Sequence, residues 1–202
     1  MNVFSFTNKD YRLCTPLPDD LKAAWQQQQF SHFPYWGKCW PAAVVLAEFL
    51  SKNSFLVRDK LVIELASGLG LPSLVASDYA KKVVTTDFLQ DPLSFVDMSV
   101  RENGISNIET KIINWHAIPK ELTADVVLLS DVNYNPDDFE ALDRLIDFFL
   151  QQNTLIILST PQRIVAKTFV EKWLRFEKMQ ETFFLTDDLQ VSVLVLCKNE
   201  KY

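Results

Sequence analysis

The run Glu64-Leu65-Ala66-Ser67-Gly68-Leu69-Gly70 leaves a short apolar segment and enters one of helical pattern, and it holds two of the chain's four glycines. Glycine at 68 and 70 permits a tight turn and lets backbone amides approach a ligand with no side chain in the way. A lone G-x-G also suits an ordinary strand-to-helix turn. Asp87 ends the next apolar run, KVVTTD, where folds of this kind present a carboxylate to ribose hydroxyls. Alone it is equally a helix cap; together with the glycine turn it reads as a cofactor site. Position 73, where a dinucleotide fingerprint wants its third glycine, is Ser73, and Glu64 puts negative charge where a pyrophosphate would be repelled. A sulfonium cofactor carrying an ammonium group tolerates that carboxylate. The cofactor these residues favour is S-adenosylmethionine.

Further along, Ser130-Asp131-Val132-Asn133-Tyr134-Asn135-Pro136 follows another apolar run. Ligands of open parallel sheets collect beyond the carboxyl ends of the strands, so Ser130 is read as a cofactor contact and Asp131 with Tyr134 as a catalytic pair. A plain N-cap and a loop wedge are the structural alternatives for that pair. Trp115 offers a flat face to an adenine or to the core. Phe33, Tyr35, Trp36 and Trp40 crowd one segment and are expected both to staple the N-terminal helices to the sheet and to line a pocket, with Trp40 the expected ligand neighbour. His32 and His116 sit in no nucleophile or metal arrangement and are read as structural or surface residues.

These residues need a scaffold of alternating strands and helices. Apolar runs at 61–65, 82–87, 108–115, 125–131 and 154–160 read as parallel strands buried on both faces, with helices near 71–80, 90–103, 137–151 and 162–175 between them. Residues 179–185, the turn Thr186-Asp187-Asp188 and the run VSVLVLCK read as a closing antiparallel hairpin. Ahead of the sheet, Asp19 and Asp20 precede one helical pattern, LKAAWQQQQF, and Pro41 begins a strongly apolar second one. Residues 1 to about 18 read as a short strand or irregular lead-in that wraps the domain. The expected fold is an α/β Rossmann-like three-layer sandwich with a mostly parallel seven-stranded sheet. One domain spans 1–202, with an N-terminal helical extension over 1–55 and the core over 60–202.

Composition narrows the function. A length of 202 residues with 48% hydrophobic content suits one well-buried core. A net charge of -6 gives no reason to expect a nucleic-acid groove. Cys14, Cys39 and Cys197 lack metal or redox spacing, so no metal is expected and reduced thiols in a cytoplasm are. The N-terminus has no basic and apolar leader, and no apolar run approaches membrane-spanning length. A soluble, cytoplasmic, monomeric protein is expected.

The segments PYWGKCWPAAVVLAEFL, VIELASGLGLPSLVAS, Asp87, INW and LLSDVNY together resemble the seven-strand protein-lysine methyltransferases called methyltransferase family 16, from about Pro34 to Arg163. The resemblance implies strand order 3-2-1-4-5-7-6. It also implies cofactor contacts at Trp40, Glu64, Gly68, Gly70, Asp87 and Trp115, with Asp131 and Tyr134 as a D-x-x-Y pair on the acceptor side. Members methylate lysines of particular proteins, such as translation factors, chaperones and the electron-transfer flavoprotein β-subunit. Some bacterial relatives carry a nicotinamide N-methyltransferase-like label. The region before Trp36 is shorter than the extensions associated with substrate selection in larger members. A protein substrate is therefore expected, and the rivals are a small-molecule amine methyltransferase, a non-catalytic cofactor-binding module and a nicotinamide-dependent oxidoreductase. An enclosed cavity would favour a small acceptor and an open groove a protein one.

Overall fold

Five apolar runs pair side by side in the computed structural model, which describes residues 1–7, 9–30, 33–186 and 188–199. They form β3 (Leu61–Leu65), β4 (Lys82–Asp87), β5 (Ile108–Ile112), β6 (Val126–Ser130) and β7 (Leu155–Pro161), all parallel. The hairpin of β8 (Glu177–Thr186) and β9 (Leu189–Leu196) completes the sheet, with β9 antiparallel to β7. The sheet runs β5-β4-β3-β6-β7-β9-β8; counted from β3, this is the order 3-2-1-4-5-7-6. Chain direction across the sheet reverses between β3 and β6, where Leu65 lies beside Leu129. A crevice opens beyond the carboxyl ends at such a point.

Alternate side chains of each strand point to opposite faces; on β3, β6 and β7 both faces are covered, whereas β5, at the sheet edge, is only partly buried and carries Glu109 and Lys111 in an exposed ion pair. Val62, Val126, Leu128, Leu155 and Ile157 pack with residues of α2 (Pro41–Lys52) and α3 (Leu71–Ala76), while Phe95 and Val100 of α4 (Gln90–Glu102) border the same cluster. Ile63, Leu65, Val127, Leu129, Ile156 and Leu158 face α5 (Phe139–Gln151) and α6 (Lys167–Trp173). Between β5 and β6 the chain forms only a 3-10 turn at Trp115–Ala117.

Several boundaries differ from the sequence reading. The third core strand stops at Ile112 instead of reaching 115, and Asn114 caps the following turn by accepting from the His116 amide at 2.9 Å. The helix expected over 71–80 ends at Ala76, and the one over 162–175 shrinks to Lys167–Trp173 between two 3-10 turns. Asp19 and Asp20 lie within the first turn of α1 (Pro18–Gln26), and Leu17 stands at the cap without a side-chain bond. The lead-in is a hairpin, β1 (Asn2–Phe6) with β2 (Lys9–Leu13), forming its own two-stranded sheet. It does wrap the domain: Tyr11 and Leu13 are buried in the α2–α3 cluster, the Tyr11 hydroxyl donates to Asp78 at 2.6 Å, and the Cys14 amide donates to Ser99 at 2.8 Å. His32 and Asp187 lie outside the described residues. Among the described residues no helix is long and apolar enough to cross a membrane.

Candidate active site

The glycine turn is built from beneath. Glu64 is wholly buried at the end of β3, and its Oε2 accepts from both the amide and the hydroxyl of Ser73 in α3. The residue that breaks a dinucleotide fingerprint is thus the anchor of this turn. Burial pushes the Glu64 carboxyl up to about 8, with the Ser73 bonds opposing the rise and negative charge at Asp87 adding to it. Glu64 therefore braces the turn from inside the core.

Above that brace, Ala66, Gly68 and Gly70 all adopt left-handed backbone, with φ of 52°, 52° and 69°. A Cβ on Gly70 would lie 3.0 Å from Val96 and 3.3 Å from Thr85, so both its φ and its surroundings require glycine. A Cβ on Gly68 would lie 3.6 Å from the Trp36 carbonyl oxygen, which sets Trp36 across the turn. Asp87 ties the second strand to this loop by accepting from the Gly68 amide at 3.1 Å and the Leu89 amide at 3.2 Å. Burial raises its carboxyl, opposed by the amides of Leu89, Gly68 and Phe88.

Buried polar atoms without partners are rare in folded proteins, and each costs about 1–3 kcal/mol. Trp36 Nε1, Glu64 Oε1, Ser67 Oγ, Thr85 Oγ1, Ser130 Oγ and Asn133 Nδ2 are such atoms. They cluster on the carboxyl-terminal halves of β3, β4 and β6, on the loops that follow, and on the Trp36 segment. A polar ligand in the crevice would satisfy those within its reach. S-adenosylmethionine, with its amino acid, ribose and adenine groups, fits that donor and acceptor set.

The aromatic residues divide by position. Trp40 heads α2 with its indole N–H donating to the Tyr35 carbonyl at 2.8 Å and the Lys38 ammonium 4.8 Å from its ring centre. Trp36 lies against the glycine turn. Trp115 packs with Ala66 against a cluster containing Leu65, Leu129 and Val132. Trp115 also lines a cleft of about 150 Å³ with Ile118, Ala141, Leu145 and Phe148. Tyr35 stands 4.8 Å from Phe33 and 5.9 Å from Tyr134 between ring centres.

Asp131 follows Ser130 at the end of β6, with φ 53° and its amide donating to the Ser159 carbonyl at 2.9 Å. Both its carboxylate oxygens are held by Arg163, one of them by Nη2 at 3.1 Å. The plain N-cap alternative for Asp131 fails, since its carboxylate faces Arg163 and the next cap is made by Asn135. Burial raises the Tyr134 hydroxyl, helped by negative charge at Asp138, Asp131 and Asp87. Tyr134 and both candidate carboxylates thus share one electrostatic neighbourhood. Arg163 was not singled out for a role by the sequence, and Trp36 only as one of the aromatic group at 33–40; the adjacency of β6 and β7, and the fold of the N-terminal segment against the glycine turn, bring them here. His116 lies 3.3 Å from Asp138, on the surface.

A lysine methyltransferase family matches residues 23–185 of this chain. The mouse histone-arginine methyltransferase METTL23 is 30% identical over 146 residues, 68% of this chain and 58% of its own length. The fission-yeast protein N-terminal and lysine N-methyltransferase efm7 is 30% identical over 72% of this chain and 60% of its own. The mouse electron transfer flavoprotein beta subunit lysine methyltransferase is 27% identical over 75% and 60%. The chain thus spans 58 to 60% of the length of these relatives. Among solved structures, the PH0226 protein of Pyrococcus horikoshii aligns with a TM-score of 0.61 at 16% identity, over 77% of this chain and 89% of that one. A putative RNA methyltransferase, PH1948, from the same organism aligns at 0.59 and 16%, over 77% and 82%. At such identity the likeness is one of fold.

Proposed function

This chain belongs to the lysine methyltransferase family, and from that premise we propose that it transfers a methyl group from S-adenosylmethionine to the side-chain amine of a lysine in a protein. The observation that carries the reading is the convergence, at the reversal point of the sheet, of the glycine turn, the Asp87 carboxylate bonded to that turn, and the Asp131–Tyr134 pair. When bound, the cofactor supplies a methyl group already activated by its sulfonium. The chain therefore has mainly to align and desolvate.

Asp87 retains lone pairs for ribose hydroxyls beyond the two amides it accepts from. Trp36 and the turn backbone wall the crevice, and Ser67 and Ser130 offer unpartnered hydroxyls. A lysine ammonium, with a solution pKa of about 10.4, must shed its proton before transfer, and an apolar surround disfavours its charged form. Tyr35 and Tyr134 form such a surround for the alkyl stem. Phe33, Tyr35 and Tyr134 are 52%, 51% and 49% exposed, so this rim is open, which favours a protein acceptor over a small enclosed amine.

A second acceptor, an arginine guanidinium, is favoured by one observation: METTL23, 30% identical to this chain, is named for arginine. The three free cysteines, two of them buried, fit a reducing compartment such as the cytoplasm.

Calorimetric titration of S-adenosylmethionine, S-adenosylhomocysteine and NAD into the protein is the test. Saturable binding of the first two alone is expected; binding of NAD alone, or of none, overturns the assignment. Labelled methyl transfer followed by mass spectrometry of the product then reads lysine against arginine.

A further inference from the structure

Asp131 sits where transfer would take place, yet its carboxylate is not free to receive a cationic acceptor. Arg163, in the segment following β7, pairs Nη1 with Oδ1 and Nη2 with Oδ2, a planar two-point match. The Asp131 side chain is only 9% exposed and that of Arg163 33%, so the pair is largely removed from water. The Asp131 amide continues the β6–β7 ladder onto Ser159, and with its φ of 53° this sets the direction of its Cα–Cβ bond.

The charge at this position matters because of how charge moves in the reaction. The acceptor first gives its proton to solvent. Its nitrogen lone pair then forms the N–C bond while the C–S electron pair goes to sulfur, so one positive charge passes from sulfonium to nitrogen. Before deprotonation the crevice holds two positive charges, the sulfonium and the ammonium; at transfer it holds one. An uncompensated carboxylate would stabilise the doubly charged ground state more than the transition state. Tighter binding of that kind does not speed the chemical step.

We propose that Arg163 is a positioning residue that cancels the Asp131 charge, so that the crevice does not trap cationic ligands and the acceptor amine can enter transfer neutral. This rests on the methyltransferase reading above. It predicts how the two cofactor forms partition, because S-adenosylmethionine carries a sulfonium charge that S-adenosylhomocysteine lacks.

The test is calorimetric titration of both compounds into the wild type and into Arg163→Met, Asp131→Asn and the double variant. Arg163→Met should raise the preference for S-adenosylmethionine over S-adenosylhomocysteine by roughly tenfold, a size set by a unit charge a few ångströms away in partly screened surroundings. Asp131→Asn, which leaves Arg163 unpaired, should move the ratio the opposite way. The double variant should return near the wild-type ratio. A purely structural lesion weakens both compounds together and leaves the ratio alone. Wild-type binding of both with a ratio that neither single variant moves overturns the inference and leaves the cofactor reading standing; no wild-type binding of either removes the cofactor reading and the inference with it. Should Arg163→Met not fold, the opposite shift in Asp131→Asn and its reversal in the double variant decide the matter.

Discussion

Glu64 shows how one residue's environment rewrites its chemistry. On paper it is an acid at the mouth of a cofactor loop; in the fold it is buried, bonded to Ser73, and raised to about 8. An unfolded glutamate titrates near about 4.3. Between those values the native state keeps a proton that the unfolded chain has released, so stability falls as pH rises through this window. The contribution is whole below the lower value and gone above the higher. Glu64→Gln removes the titration and keeps an acceptor for the Ser73 amide. Its stability relative to wild type should therefore increase from about pH 5 to about pH 8, by on the order of 1 kcal/mol per unit. Urea unfolding across that range reads the difference, and a pH-independent offset would show that Glu64 is ionised in the fold.

At the scale of the element, the turn between β3 and α3 carries three left-handed residues within five positions, and they are not equivalent. Gly70 is pressed against Val96 and Thr85 and has φ 69°, so Gly70→Ala adds both backbone strain and a contact at 3.0 Å. It should cost about 1–3 kcal/mol and weaken cofactor binding with it. Ala66, also at φ 52°, already bears a Cβ in a conformation that disfavours one. Ala66→Gly should gain up to about 1 kcal/mol by relieving it. Thermal denaturation of the two variants gives opposite signs if the backbone is as described, and the same sign would contradict it. The shortness of α3 belongs to this scale too: it is a single packed unit over the turn, wholly buried from Leu71 to Ala76, and its sequence signal blurred into the loop that follows.

For the molecule as a whole, the N-terminal hairpin is part of the core and not an appendage. It contributes Tyr11 and Leu13 to the cluster under α2 and α3, at 1% and 0% exposure. Removing residues 1–13 should cost about 3–6 kcal/mol from these two side chains, read by chemical unfolding. A truncated protein as stable as the full chain would deny the hairpin that role. The sequence by itself determined the sheet's five parallel strands, chiefly through its inner ones: strands covered on both faces are nearly all apolar, as 61–65, 126–130 and 155–158 are but for Glu64 and Ser130. It determined the glycine turn and Asp87 as well, since close backbone approach admits few residue types. Helix lengths, the lead-in hairpin and the stop at Ile112 were blurred, because alternation over five residues does not outweigh tertiary contacts in fixing an end. The partners were decided by tertiary structure alone. Arg163 meets Asp131 across 32 residues, Trp36 crosses Gly68, and Tyr35 meets Tyr134, none of them near in sequence. Local propensity and periodicity carry only what a segment does with its own neighbours; which charge neutralises which, and therefore what the crevice can bind, waits on the order in which the strands lie side by side.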